Sequence, residues 1–120
     1  MTCIFCSMSD SIAENELAFA IDDKYPVSPG HVLIIPKRHV ADYFGLTAEE
    51  ETAVWGLLRT VKAILEAKHR PDGWNIGINC GAAAGQTVFH LHVHLIPRYV
   101  GDMDAPEGGV RGVIPSRQKY

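Results

Sequence analysis

The stretch His90-Leu91-His92-Val93-His94-Leu95-Ile96-Pro97-Arg98 alternates imidazole with aliphatic side chains until a proline closes it. Successive side chains of a strand point to opposite faces, so His90, His92 and His94 share one face and Leu91, Val93 and Leu95 the other. The aliphatic face has the character of a core. The imidazole face carries three of the chain's six histidines, which points to chemistry rather than packing. One metal ion cannot gather all three. The first and third lie about 13 Å apart along a strand, beyond what two bonds of about 2.1 Å can bridge. The three therefore divide their roles. Imidazole is a nucleophile that is largely neutral near pH 7. It can form a phosphorus–nitrogen bond that water later breaks, a two-step covalent route. His92, the middle residue, has a histidine on either side, so one neighbour can set its environment while the other handles the phosphate or leaving group.

Working outward, Leu17 to Ile21 and His31 to Ile35 read as antiparallel neighbouring strands. They are joined by the turn-rich Tyr25-Pro26-Val27-Ser28-Pro29-Gly30, and Pro36 stops the second. Thr47 with Glu50 three residues later forms a capping box, and Glu49, Glu50 and Glu51 sit where a helix dipole favours anions. Val54, Leu57, Leu58, Val61, Ile64 and Leu65 then follow a helical stripe, which should fade near His69 ahead of Pro71 and Gly73. Gly73 to Asn79 alternates as a strand, and Gly81 to Gly85 is a small-residue loop. Residues 1–16 read as irregular. The expected fold is α+β, an antiparallel sheet of about five strands with one long helix. We expect a single domain over 1–120, with its core in 1–100 and a flexible acidic loop and C-terminal tail in 101–120.

At 120 residues, 47% apolar and 21% charged, the composition suits one globular domain. The formal net charge of −3 argues against a nucleic-acid scaffold. Arg111, Arg117 and Lys119 give the tail a local positive character. No apolar run approaches the roughly 20 residues of a membrane helix. The opening Met1-Thr2-Cys3-Ile4-Phe5-Cys6 lacks the regions of a signal peptide, so a cytoplasmic location is expected. Cys3, Cys6 and Cys80 are too few for a disulfide framework. Cys80 reads as a small buried apolar residue. Cys3 and Cys6 form a C-x-x-C, which suggests metal or redox chemistry.

Gly85-Gln86-Thr87-Val88-Phe89-His90-Leu91-His92-Val93-His94-Leu95-Ile96-Pro97-Arg98 resembles the signature of the histidine-triad (HIT) family, nearest its Hint and Fhit branches of nucleotide hydrolases and transferases. Tyr25 to His39 is similar to the same family's first motif, and together the likeness covers roughly residues 3 to 98. The resemblance implies that His92 becomes nucleotidylated and that His94 hydrogen-bonds a phosphate oxygen. It implies donors to the phosphate from Gln86, a hydroxyl near the leaving group from Thr87, and phosphate contact from Asn79. Asp23, eight residues before His31, would bind the ribose hydroxyls, and His31 would orient the imidazole network. A subset of the family binds zinc at positions matching Cys3, Cys6, His39 and His90, which implies a structural zinc and no organic cofactor.

The expected activity is hydrolysis at the α-phosphorus of a purine nucleotide substrate, a nucleoside phosphoramidate or a dinucleoside polyphosphate. The alternatives are a nucleotidyltransferase or phosphorylase, or a nucleotide-binding partner protein with incidental hydrolysis. Family members of this size also imply a homodimer pairing edge to edge, which would bring Arg111 near the partner's phosphate site. The Hint branch closes with a tryptophan, whereas this chain has none after Trp74.

Overall fold

The computed structural model describes residues 3–6 and 10–120. The irregular reading of residues 1, 2 and 7–9 lies outside the described residues. Five strands, β1 (Ala13–Glu14), β2 (Ala18–Asp22), β3 (Val32–Pro36), β4 (Gly73–Ile78) and β5 (Val93–Arg98), form one sheet in the order β1-β2-β3-β5-β4. Every neighbouring pair is antiparallel. One helix, α1 (Ala48–His69), packs across it.

The start of α1 is a reciprocal cap. The Glu50 N–H donates to the Thr47 hydroxyl at 3.1 Å, and the Thr47 N–H donates to the Glu50 carboxylate at 2.9 Å. At its end Arg70 turns into the left-handed region (φ 51°) and its N–H still reaches the Glu66 carbonyl at 3.0 Å, just before Pro71 forbids another turn. Val54, Leu57, Leu58, Val61 and Leu65 are buried as a stripe. Ile64, expected in that stripe, is 44% exposed because it falls on the flank of the arc the others occupy.

The stripe packs on Ala18, Ala20, Val32, Ile34, Val93 and Leu95. The alternate residues Phe19, Ile21, Leu33 and Ile35 face the other way and form a second cluster, over which Phe5 folds from the N-terminus. Through the register Leu33↔His94↔Gly77, His94 belongs to that second face.

Two expectations about strands need correction. Ala13–Glu14 within the segment read as irregular is a short strand on β2, too short for its periodicity to register. The histidine strand, expected from the sequence over Leu91 to Ile96, spans Val93–Arg98. Upstream, Leu91 donates its N–H to the Val40 carbonyl at 2.8 Å, outside the sheet ladder, so His90 and His92 ride on an extended approach to β5.

Residues 101–120, expected as a flexible loop and tail, contain two 3-10 turns, Gly109–Val113 and Pro115–Arg117. Gly108, at φ +90°, lets the chain pass the Gln118 carbonyl, which an added Cβ would meet at 1.9 Å. Arg111 donates to the carbonyls of Arg117 (3.0 Å) and Gln118 (3.3 Å) and lies 4.9 Å from the Tyr120 ring centroid. No helix among the described residues is long and apolar enough to cross a membrane.

Candidate active site

Backbone carbonyls set the two upstream histidines. A carbonyl only accepts, so the His92 Nδ1, 2.9 Å from the His90 carbonyl, carries the ring proton. The His92 Nε2 is left with a free lone pair. His90 is fully buried, and its Nε2 donates to the Pro36 carbonyl at 2.8 Å, which leaves Nδ1 as the bare nitrogen. The same residue therefore turns one ring to the N-terminus and fixes the next with its backbone.

His94 lies beside the candidate nucleophile, with ring centroids 5.2 Å apart. Its Nδ1 is 3.0 Å from the His31 Nε2 and 4.0 Å from Asp23 Oδ2, while Asp23 Oδ2 is 3.3 Å from that same His31 nitrogen. Burial pulls the His94 pKa down to about 4, helped by the neighbouring His92 and His31 and opposed by Asp23. Burial also lowers His31, again against the pull of Asp23. Both rings are thus neutral at pH 7, so His94 offers a hydrogen-bond donor rather than a cation beside His92.

Asn79 follows β4, and extending the register Gly77↔His94 and Ile78↔Val93 sets it opposite His92 on the histidine face. Thr87 is exposed. Neither side chain has a hydrogen-bond partner among the described residues, so both are available to a ligand. Gln86 is different. Its amide donates to the carbonyls of Ala41 (2.6 Å) and Val88 (3.2 Å), and its oxygen accepts from the Gly81 N–H (2.7 Å). In this conformation Gln86 is a strut of the Gly81–Gly85 loop, not the free phosphate donor expected from the sequence. Asp23 also has one oxygen occupied, by the Tyr25 N–H at 2.8 Å.

Cys3 Sγ lies 3.2 Å from His90 Nδ1, and Cys6 Sγ lies 3.2 Å from His39 Nδ1 and 3.5 Å from His90 Nδ1. All four ligand atoms fall within 4.8 Å of one another. A tetrahedral ion with bonds of about 2.3 Å to sulfur and 2.0–2.1 Å to nitrogen spans S···N edges of roughly 3.5 Å, so the set fits one cation. Cys3, through its hydrogen bond above all, pushes the Cys6 thiol pKa up, so a cation is what would hold both as thiolates.

One residue of this site escapes sequence reasoning. Phe5, between the two cysteines, meets the rings of His90 and His92 edge-on at centroid distances of 5.9 and 5.2 Å. Its place inside the C-x-x-C was the only available signal.

Comparison with known proteins bears on this arrangement. The chain is 42% identical over 103 residues (81% of this chain, 72% of the other) to an uncharacterized 16.1 kDa HIT-like protein of Mycoplasma pneumoniae. It is 41% identical to a bis(5'-adenosyl)-triphosphatase of Dictyostelium discoideum, covering 80% of this chain and 64% of that one. With an AP-4-A phosphorylase of Mycobacterium tuberculosis it shares 35% identity, over 76% of this chain and 47% of that one. Among solved structures, a HIT family protein from Bacillus anthracis superposes with a TM-score of 0.79 at 38% identity, covering 86% of this chain and 79% of that one. A Zn-bound histidine triad family protein from Mycobacterium smegmatis gives 0.76 at 35%, covering 87% and 80%. Residues 7–101 match the model of the HIT domain, and with three histidines in motif order and the fold around them, the chain belongs to the histidine-triad family.

Proposed function

We propose that the protein is a nucleotide hydrolase acting at the α-phosphorus of nucleoside phosphoramidates or dinucleoside polyphosphates. The observation that carries this reading is the His92 ring, whose Nδ1 proton is committed to the His90 carbonyl so that Nε2 presents a lone pair beside a neutral His94. In the first step the His92 Nε2 bonds to the α-phosphorus and the P–O or P–N bond to the leaving group breaks, with the leaving group taking up a proton. In the second, water bonds to that phosphorus, the P–N bond to His92 breaks, and a nucleoside monophosphate is released. His94 donates to a non-bridging oxygen as charge builds in each transition state. Asn79 and Thr87 contact the phosphates and leaving group, Asp23 accepts from the ribose hydroxyls of a purine nucleotide, and His31 supports His94.

The named relatives support the chemistry at the level of nucleotide hydrolysis or transfer. The phosphorylase among them keeps one rival open. If phosphate rather than water attacks the intermediate, the product is a nucleoside diphosphate. Cys3, Cys6, His39 and His90 would hold a structural zinc, a cross-link tying the N-terminus to the histidine approach. The same reading makes the protein a homodimer. β4 is a sheet edge with Ile76 43% exposed, beside a groove lined by Trp55, Leu58, Trp74 and Leu95, and pairing across a two-fold axis covers both.

The test is a panel of phosphoramidates and dinucleoside polyphosphates, each assayed with and without added phosphate. Alongside it, an alkaline quench preserves any nucleotidyl-histidine for peptide mass spectrometry. Monophosphate product and an adduct on His92 are expected. Diphosphate formed only with added phosphate would mean phosphorylase. Nucleotide binding with no turnover of any panel member would mean a binding protein.

A further inference from the structure

We propose that the backbone N–H of Val27 is a positioning group: acting through His31, it holds His94 in the tautomer whose Nε2 carries the proton. The inference rests on the proposed reading only for its effect on turnover; the tautomers belong to the free protein.

The relay has three links, each with a forced direction. The Val27 N–H lies 3.1 Å from the His31 Nδ1. A backbone amide only donates, so that nitrogen must be bare. His31 is buried, 4% exposed, and neutral, so its one proton sits on Nε2. There it faces the His94 Nδ1 at 3.0 Å, which accepts. A neutral His94 whose Nδ1 accepts carries its proton on Nε2. Asp23 Oδ2, 3.3 Å from the His31 Nε2, is a second acceptor for the same proton, and as a carboxylate it also requires a proton there.

Without this relay a neutral His94 is free to take the other tautomer and present a lone pair to an anionic phosphate oxygen. That exchanges a donor for a repulsion at the point where donors matter most. The Val27 side chain is 72% exposed and adds little to any core, so the amide is what the site uses. The surrounding loop is pinned for this purpose. Asp23 donates its N–H to the His31 carbonyl at 3.0 Å, and the Ser28 hydroxyl donates to the Pro97 carbonyl at 2.6 Å. Val27 thus cannot drift from His31 without straining the Ser28 bond to β5.

The same N–H answers a competing interpretation of this cluster. Asp23, His31 and His94 bring three possible ligand atoms within 4.8 Å of one another. A cation on the His31 Nε2 would force the ring proton onto Nδ1, where it would face the Val27 N–H head-on. The loop therefore works against a metal here and for a proton.

The experiment is long-range 1H–15N correlation spectroscopy of the histidine-labelled protein at neutral pH, paired with steady-state kinetics. In the wild type, His31 and His94 should both be protonated on Nε2, and His92 on Nδ1. Val27→Pro removes the N–H, and Val27→Ala keeps it. In Val27→Pro the His94 signals should move to a mixture of tautomers, with kcat falling about tenfold or more and KM within twofold, while Val27→Ala keeps the wild-type tautomer. If Val27→Pro does not fold, His31→Leu breaks the relay without touching the loop backbone. His31→Gln, whose amide nitrogen reaches the place of Nε2, should restore the His94 tautomer that His31→Leu loses. A wild-type His94 protonated on Nδ1 overturns the proposal. So does a His94 tautomer common to the wild type, Val27→Pro and His31→Leu. The expected tautomers in a protein that turns over no nucleotide would overturn the hydrolase reading and leave the relay standing.

Discussion

Replacing Glu50 by glutamine tests how the frame of the site is held. The Glu50 carboxylate is buried, and Arg38 meets it through Nε and Nη2, both at 2.8 Å, while the Thr47 N–H adds a third bond at 2.9 Å. Arg38 also donates to the Gly45 carbonyl at 2.9 Å, so one ion pair ties the helix start to the segment leaving β3. That segment carries His39 of the cysteine–histidine cluster and the Ala41 carbonyl that receives the Gln86 amide. The Arg38 hydrogen bond above all, reinforced by Thr47 and opposed by burial, pulls the Glu50 pKa from an ordinary 4.5 to about 2. At about 1.4 kcal/mol per unit the shift corresponds to a ceiling near 3.4 kcal/mol. The Arg38 side chain is 52% exposed, and solvent screening reduces this to about 1.5–2.5 kcal/mol.

The sign follows from linkage. A depressed carboxylate pKa gives stability that is fully present above pH 4.5 and is lost as pH falls through about 2. Urea unfolding of wild type and Glu50→Gln at pH 7 and at pH 2.5 reads the difference. Glu50→Gln should be about 1.5–2.5 kcal/mol less stable at pH 7, with the gap shrinking toward pH 2.5. Asp102, also held near 2 by its Arg98 hydrogen bonds, is common to both proteins and cancels. A gap under about 0.5 kcal/mol at pH 7, or one that does not shrink on acidification, would refute the reasoning.

Other measurements test the chemistry directly. His92→Ala should abolish turnover while leaving the fold and most nucleotide affinity intact, and retention of more than about a tenth of the activity would sink the nucleophile assignment. His94→Ala should lose about 10²–10³ in kcat, the worth of one stabilising donor; a loss under threefold would remove it from the mechanism. Freshly purified, reduced protein should carry close to one zinc per chain, and Cys3→Ser/Cys6→Ser should lose it along with stability before it loses chemistry. Elemental analysis without zinc would overturn that assignment. Light scattering at micromolar concentration should give about 26 kDa, twice the 13.2 kDa chain, and a clean monomer mass would rule out the dimer.

What was legible in the sequence follows the range of the interactions. The helix start is written in Thr47 and Glu50 and its end in Pro71, all local signals, and both stand as read. β2 and β3 are apolar runs buried on both faces, and β4 and β5 alternate, so all four can be located from the sequence. β1 cannot, because two residues, Ala13 and Glu14, have no period. Apolar–polar alternation continues upstream through Leu91 and His92, which pair with no neighbouring strand among the described residues, so the pattern predicts an earlier start than Val93. Burial alternation and ladder pairing are separate properties, and a sequence shows only the first. Gln86 reads the same whether its amide faces a ligand or, as here, the backbone of Gly81, Val88 and the distant Ala41. Beyond its place between the two cysteines, nothing in the sequence marks Phe5, because its partners His90 and His92 lie far along the chain.

The span between Cys3 and His90, 87 residues, has a consequence for how the protein is made. Cys3 leaves the ribosome before any strand of the sheet, and its partner histidine emerges only after β2, β3, α1 and β4 have been synthesised. A ring closed over so long a loop forms late, since the entropy of bringing its ends together must be met before the contact returns anything. Capture of a metal by Cys3, Cys6, His39 and His90 would then report a finished sheet rather than a nascent one. Phe5 would reach His92 at the same moment, so a half-folded chain exposes the His92 ring without the aromatic wall beside it. An N-terminal fusion that strains Cys3 should accordingly slow maturation of the site more than assembly of the sheet.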